Sequence, residues 1–186
     1  MLALQGAFVR HAAMIESRSV SAIEVRTAAD LAEVDAVVLP GGESTTMSLL
    51  LDANGLTEPL RERLATGMPA LGTCAGMILL ARRVLDGRAD QISFGMLDVD
   101  VRRNAFGRQG ESFESDLPVR GWHGAPLHAV FIRAPQVERT GSDVEVLASV
   151  DDKPVFVRQG AVIATAFHPE LSDDGRVHDL FLSTID

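Results

Sequence analysis

Residues 69–81 read PALGTCAGMILLA, a short apolar run, then a turn of small residues, then a second apolar run. This pattern predicts a buried strand that leads into a helix over Ala75–Leu85. Gly72 and Gly76 stand two residues on either side of Cys74, the spacing of a nucleophile elbow, whose sharp turn projects the central side chain. Cys74 would then lie at a helix N-terminus, where the helix dipole favours the thiolate. A buried, unreactive cysteine is the alternative.

Short apolar runs alternate with helical stretches on both sides of this segment. In the first half, strands are predicted at Leu2–Leu4, Val34–Leu39 and Met68–Gly72, and helices at Ala7–Glu16, Ser44–Leu51 and Glu58–Ala65. In the second half, strands are predicted around Leu97–Val101 and at Val130–Arg133, Val144–Val150, Pro154–Arg158 and Val162–Phe167, with a closing helix at Arg176–Ile185. The fold class expected is α/β: a doubly wound, mostly parallel central sheet with helices on both faces and an added antiparallel portion.

Length and composition limit the function classes. The 186 residues, 46% of them hydrophobic, suit a single domain over residues 1–186. The formal net charge of −9 and the scattered arginines argue against a nucleic-acid partner. No apolar run is long enough for a membrane span or a signal peptide. With one cysteine there can be no intrachain disulfide and no multi-cysteine metal cage, so we expect a reducing, cytoplasmic location.

A second motif, AFHPEL, follows the predicted strand Val162–Phe167. It places His168 and Glu170 at the end of a strand, where sites of open α/β sheets form. A thiol nucleophile needs a base, and the base needs a group to orient it. Together with the elbow, the motif therefore predicts a Cys74, His168, Glu170 triad.

The other four histidines have no comparable sequence neighbourhood, and we expect them at surface or helix positions. They are His11, His123, His128 and His178. No two histidines have the close spacing of a zinc site, so no metal is predicted.

The third motif, PGGESTTM, begins at Pro40, directly after a predicted strand. Gly41 and Gly42 would let the backbone approach a ligand closely, and the next helix would offer its amides to a carboxylate or an oxyanion. A phosphate-binding turn, or a left-handed turn with Ser44 or Thr45 capping the helix, fits equally well. The sequences typical of ATP and dinucleotide sites are absent, and no cofactor is predicted.

These three motifs, in this order and spacing, resemble those of class I (triad) glutamine amidotransferases. The segments LALQGA, VRRNAFGRQ with SFESDL, and VFIRAP are more specifically similar to the family of glutaminase subunits of pyridoxal 5′-phosphate synthase. This similarity spans nearly the whole chain. Glutaminases that serve other acceptors, such as imidazole glycerol phosphate synthase, share the elbow and the HPE motif but are not expected to carry RNAFGRQ or VFIRAP.

The resemblance implies hydrolysis of L-glutamine to L-glutamate and ammonia through a thioester, with the ammonia channelled to a PdxS-type synthase subunit in a hetero-oligomer for vitamin B6 synthesis. Cys74 would be the nucleophile, His168 the general base and Glu170 the residue that orients it. The amide of Ala75 and the backbone of Gly42 would hold the oxyanion. The residues that would bind glutamine are Gly42, Glu43, Ser44, Arg103, Ile132 and Arg133.

The resemblance also implies a glutaminase that is weak until the synthase docks near the mouth of the site. The docking surface would include the first helix around Arg10 and His11 and the loops beside Gly41. Only a few residues precede Gln5, so we expect either a short first strand or a start codon that is placed late. The polar segment Asn104–Pro126 is expected to be a surface excursion or, alternatively, a rim over the site.

Three other functions compete with this interpretation. The first is a triad glutaminase that serves a different acceptor enzyme. The second is a free-standing cysteine hydrolase of the DJ-1-like kind, which would also carry an elbow cysteine. The third is a non-catalytic subunit, against which the presence of all three triad residues argues.

Overall fold

The computed structural model describes residues 1–105 and 112–185, which fold into ten strands and six α-helices. The strands are β1 (Val37–Leu39), β2 (Ala70–Thr73), β3 (Ala81–Val84), β4 (Leu97–Arg102), β5 (Phe113–Leu117), β6 (Leu127–Phe131), β7 (Gln136–Thr140), β8 (Glu145–Val150), β9 (Lys153–Gln159) and β10 (Val162–Thr165). The helices are α1 (Phe8–Glu16), α2 (Ala28–Ala32), α3 (Ser44–Ala53), α4 (Thr57–Ala65), α5 (Ala75–Leu80) and α6 (Arg176–Leu182). Among them, none is long and apolar enough to cross a membrane.

The central sheet has five strands in the order β1-β2-β10-β9-β8. Strands β1, β2 and β10 run parallel, whereas β9 and β8 pair antiparallel on one side. The predicted α/β fold, with a parallel centre and an added antiparallel portion, is confirmed. Leu39 and Thr165 pair with Gly72 and Thr73 at the ends of the three parallel strands. The three sequence motifs, each of which follows one of these strands, therefore meet at one edge of the sheet.

Two smaller sheets complete the fold. Strands β3, β4 and β7 form one, and β5 pairs with β6 in the other. The predicted helix Ala75–Leu85 is therefore wrong beyond Leu80, since Ala81–Val84 is strand β3, parallel to β4. Arg82 reaches Asp98 on β4 at 3.0 Å. Pairing with a distant strand thus overrides the local helical pattern.

The predicted strand Leu2–Leu4 is reduced to a single bridge between Leu2 and Val25. The Leu2 amide also donates to the carbonyl of Val38 in β1 at 2.9 Å. Beyond this point the chain leaves the sheet. The amide of Ala7 then bonds to the carbonyl of Gly41, in the loop after β1. The N-terminal segment is thus limited to one bridge, and the residues after it contact the loop that follows β1.

The excursion expected over Asn104–Pro126 contains strand β5, and most of its described residues are exposed or half-buried. Phe113 of β5 stacks on Phe131 of β6, with ring centroids 4.4 Å apart. Residues 106–111, which include the FGRQ part of the RNAFGRQ motif, lie outside the described residues. The strand predicted at Val130–Arg133 corresponds to β6, which begins and ends earlier in the chain. A strand cannot include Arg133, because its φ of 45° lies outside the extended region.

Aromatic packing holds the chain just before the second motif. Phe167 is fully buried, with Phe131 and Phe156 at centroid distances of 5.6 and 6.0 Å. The amide of the next residue, His168, bonds to the carbonyl of Val130 at 2.9 Å. The backbone that carries the imidazole is therefore fixed by core packing on one side and a hydrogen bond on the other.

Candidate active site

Cys74 lies at the turn between β2 and α5. Its backbone φ is 50°, a value that residues other than glycine rarely adopt. Its amide bonds to the carbonyl of Thr165 at 2.8 Å, which holds the turn against β10. A β-carbon on Gly76 would lie 2.0 Å from the carbonyl oxygen of Leu39, and one on Gly72 would lie 2.7 Å from the backbone of Gly76. Both glycines are thus needed for the close approach of α5 to the sheet, and the predicted elbow is present.

The Cys74 thiol is only 6% exposed but faces a cavity. Its Sγ lies 3.8 Å from the carbonyl oxygen of Ile132. Cys74 and His168 both line this cavity. Cys74 is therefore buried within the protein, but it can be reached from the cavity.

His168 is joined to Glu170 through a short 3-10 turn at Pro169–Leu171. The Nδ1 atom of His168 lies 2.8 Å from Oε1 of the buried Glu170. Burial disfavours the charged imidazole, but hydrogen bonds and charges from Cys74 and Glu170 outweigh it and raise the pKa of His168 to about 10. Burial also disfavours the carboxylate, yet His11 and His168 hold the pKa of Glu170 well below its usual range. The predicted triad side chains are thus brought together.

His11 and His178 lie on helices, as expected, but they also extend this cluster, which their sequence neighbourhood did not indicate. Both are fully buried, on α1 and α6. The Nε2 atom of His11 lies 3.2 Å from Oε2 of Glu170 and 3.1 Å from Oγ1 of Thr73. Its Nδ1 lies 2.9 Å from Nε2 of His178. Burial, and after it the nearby charge of Arg18, lowers the pKa of His178 to about 3.

The sequence held one signal for His11. It lies four residues before Ile15, and the two are the buried residues of α1. A histidine on the buried face of an amphipathic helix needs a polar partner, but the sequence does not say which one. Because His11 is buried, it cannot belong to the docking surface on which the sequence analysis placed it.

The loop after β1 contains Gly41 and Gly42, and neither glycine has a positive φ. The alternative of a left-handed turn is therefore wrong. A β-carbon on Gly41 would lie 2.3 Å from Cε1 of His168, and one on Gly42 would lie 2.4 Å from Oε1 of Gln5. Close packing against these two side chains explains both glycines.

The N-cap of α3 is Glu43, not Ser44 or Thr45. Its carboxylate accepts hydrogen bonds from the amides of Thr45 and Thr46 at 3.2 and 2.6 Å. Burial alone would raise the pKa of Glu43, but these bonds lower it. Glu43 is therefore ionised at the cavity wall.

Arg103 lies across the cavity from the elbow and is mostly buried. Its Nη1 donates to Oγ1 of Thr45 at 2.8 Å, and its Nη2 lies 3.4 Å from Oε1 of Glu43. Arg133, by contrast, is exposed and stands in a left-handed turn at the rim. Two arginines thus line the same cavity, one after β4 and the other after β6.

The cavity has a volume of about 300 Å³. Its walls include these residues singled out in the sequence: Gly42, Glu43, Ser44, Cys74, Arg103, Ile132, Arg133 and His168. Ala75 is buried behind Cys74 and is not among the described residues that line the cavity. The sequence analysis missed Gln5, which also lines the cavity; its Oε1 accepts a 2.9 Å hydrogen bond from the amide of Glu43.

Within residues 1–105 and 112–185, no three His, Cys, Asp or Glu side chains are grouped as a metal site.

Comparison with known proteins agrees with this geometry. A crystal structure described as a glutamine amidotransferase is 47% identical to this chain, with a TM-score of 0.91, and the match covers 98% of this chain and 96% of that one. The fold is that of the class I glutamine amidotransferases. The chain belongs to the SNO glutamine amidotransferase family, whose model matches residues 1–186.

Two relatives carry a more specific name, "Pyridoxal 5′-phosphate synthase subunit PdxT". The one from Frankia alni is 58% identical over 185 residues, covering 100% of this chain and 93% of the relative. The one from Acidothermus cellulolyticus is 57% identical over 190 residues, covering 100% of this chain and 92% of the relative. Family membership confirms the resemblance seen in the sequence and decides against the DJ-1-like hydrolase.

Proposed function

We propose that this chain is the glutaminase subunit of a pyridoxal 5′-phosphate synthase. In a single domain, it hydrolyses L-glutamine to L-glutamate and ammonia and passes the ammonia to a PdxS-type synthase subunit. The observation that carries the proposal is the 2.8 Å pairing of His168 with the buried carboxylate of Glu170, with Cys74 and His168 at the wall of the same cavity of about 300 Å³. The names of the relatives at 57–58% identity support the choice of acceptor enzyme.

The first half of the reaction forms a thioester. His168 takes the proton of Cys74, and the thiolate attacks the side-chain amide carbon of glutamine. The imidazolium then gives its proton to the departing nitrogen, so that ammonia leaves and the acyl group stays on Sγ. Glu170 stabilises the imidazolium, consistent with the raised pKa of His168.

The second half hydrolyses the thioester. His168 removes a proton from water, the hydroxide attacks the acyl carbon, and the proton returns to the Cys74 sulfur as glutamate leaves. Throughout, Glu170 keeps the proton of His168 on Nδ1 and leaves Nε2 to the reacting atoms.

The oxyanion of both steps is assigned to the amides of Gly42 and Ala75. Ala75 directly follows the nucleophile, and Gly42 lies in the loop that packs against His168 and Gln5. The α-carboxylate of glutamine is assigned to Arg103 and Arg133, because a guanidinium matches a carboxylate in geometry and charge. Glu43, Ser44 and Ile132 line the rest of the substrate site.

The synthase is proposed to dock at the mouth of this cavity. On α1, His11 is buried, whereas Arg10 is exposed and Val9 is 64% exposed. The docking surface therefore comprises Val9 and Arg10 together with the loop beside Gly41. A single free cysteine suits a reducing compartment, so we place the complex in the cytoplasm.

The test is glutamate and ammonia release from L-glutamine, measured with and without a PdxS-type synthase, with Cys74→Ala as the blank. We expect hydrolysis that rises when the synthase is added and that disappears in Cys74→Ala, while the variant still binds the synthase. Strong hydrolysis that the synthase does not change would point to a different acceptor enzyme. Full activity of Cys74→Ala would overturn the mechanism.

A further inference from the structure

Four buried side chains form a continuous chain of contacts behind the nucleophile: His178, His11, Glu170 and His168. The reaction proposed above uses only the last two. Oε1 of Glu170 is held by His168, whereas Oε2 makes no hydrogen bond of standard geometry among the described residues. The Nε2 atom of His11 lies 3.2 Å from Oε2.

We propose, on the basis of the function proposed above, that His11 is a positioning residue for the triad. Its Nε2–H holds the second carboxylate oxygen of Glu170, and His178 holds His11 in the tautomer that makes this possible.

The tautomers are assigned from the contacts, and two arrangements have to be compared. If His11 carries its proton on Nδ1, it donates to Nε2 of His178, and His178 must then carry its own proton on Nδ1. That Nδ1 is buried and has no hydrogen-bond partner among the described residues, so an N–H would be left unsatisfied. In addition, the bare Nε2 of His11 would face the carboxylate of Glu170.

The opposite arrangement removes both conflicts. His178 donates its Nε2–H to Nδ1 of His11, and its partnerless Nδ1 is then a bare acceptor. His11 carries its proton on Nε2, where it is shared between Oε2 of Glu170 and the hydroxyl of Thr73. The lowered pKa of His178, about 3, agrees with an imidazole that holds one proton only.

The charged groups around this pair are few. Arg18 and Asp179 pair with each other next to His178, and Glu170 faces His11. A donor to Oε2 keeps Glu170 ionised and stops its carboxylate from rotating away from His168. His11 therefore acts on the thiol only through Glu170 and His168, and it does not touch the substrate.

The test compares two isosteric variants, since glutamine places its amide nitrogen near the position of Nε2 and asparagine places it near that of Nδ1. With the synthase present, we expect His11→Asn to lower kcat by roughly 10- to 100-fold, the usual effect of a lost hydrogen bond to a charged group, with little change in KM. His11→Gln should keep kcat within about threefold of the wild-type value. The control is His123→Asn, at an exposed histidine, which should leave kcat unchanged.

A second readout needs no glutamine. Cys74 is the only cysteine in the sequence, so the rate of alkylation by iodoacetamide reports its thiolate directly. We expect the acid limb of the rate against pH to move to higher pH in His11→Asn but not in His11→Gln. If the wild-type complex does not hydrolyse glutamine, the proposed function fails. The pH dependence of the alkylation rate still tests the role of His11.

Equal losses of kcat in the two His11 variants, with wild-type alkylation profiles, would overturn the proposal and leave His11 a purely structural residue. Should neither variant fold, His178→Leu is measured instead, because it removes the donor to Nδ1 of His11. An unchanged kcat and an unchanged alkylation profile in His178→Leu would likewise overturn it.

Discussion

The imidazole of His168 packs directly against the backbone of Gly41: a β-carbon on residue 41 would lie 2.3 Å from Cε1 and 2.8 Å from Nδ1. The loop after β1 and the turn after β10 are thus fitted to each other at the carboxyl edge of the sheet. This contact places the loop that we assign to the oxyanion beside His168, the proposed general base. A glycine at this position is required by space rather than by backbone conformation, since its φ is not positive.

Gly41→Ala should therefore impair catalysis more than folding. The added methyl group must displace either the imidazole or the loop, and a shift of about 1 Å costs roughly 100-fold in kcat. Glutamate release measures this effect, and thermal denaturation checks the fold. Gly87→Ala is the control, because its β-carbon would meet nothing closer than 3.2 Å and its φ is not positive. A kcat for Gly41→Ala equal to that of Gly87→Ala would contradict the assigned geometry.

Cys74→Ala should lower the pKa of His168. Burial lowers this pKa in both proteins, whereas the hydrogen bond and charge of Cys74, which help to raise it to about 10, are lost in the variant. NMR titration of the imidazole carbon-bound proton would follow the change. The contribution of Glu170 is still present in the variant. A His168 titration that is identical in the two proteins would show that the thiol does not contact the imidazole.

His178 should make the protein sensitive to acid. Its pKa of about 3 in the fold lies below the ordinary value of 6.5, so between these two values the unfolded chain binds a proton that the folded chain does not. The free energy of unfolding then falls with decreasing pH, by up to about 1.4 kcal/mol per pH unit from this group. His178→Gln removes the titration and should flatten the slope.

Urea denaturation at several pH values between about 4 and 7 measures this slope. His123→Gln, at an exposed histidine, is the control and should keep the wild-type slope. If His178→Gln lost stability with acid as steeply as the wild type, His178 would not be the group responsible.

Arg103→Gln should raise the KM for glutamine by roughly 10- to 100-fold, because a neutral amide loses the charge-assisted contact with the α-carboxylate. The change in kcat should be smaller, since Arg103 is remote from the reacting bond. Arg102→Gln provides a neighbouring control: Arg102 is exposed and pairs with Glu138, on β7, at 3.2 Å. Steady-state kinetics with the synthase present would compare them. Equal KM values in the two variants would show that Arg103 does not bind the substrate.

Some elements could be predicted because their causes are local. The elbow depends on glycines two residues from Cys74, and the pairing of His168 with Glu170 depends on the turn that Pro169 begins. The helix predicted through Leu85 was wrong for the opposite reason. Ala81–Val84 has a sequence compatible with a helix, and only its pairing with β4, far along the chain, makes it a strand.

The sequence by itself predicted the class of fold from its alternating strands and helices. It also predicted the elbow at Cys74 and the pairing of His168 with Glu170, because each of these depends on spacing within a few residues. Only the tertiary structure decided that Gly41 packs on His168 and that His11 faces Glu170. These contacts join segments that are distant in the chain, and they exist because the order of strands in the sheet and the packing of α1 bring the segments together. No local sequence pattern specifies these long-range contacts, because they depend on how the whole core packs.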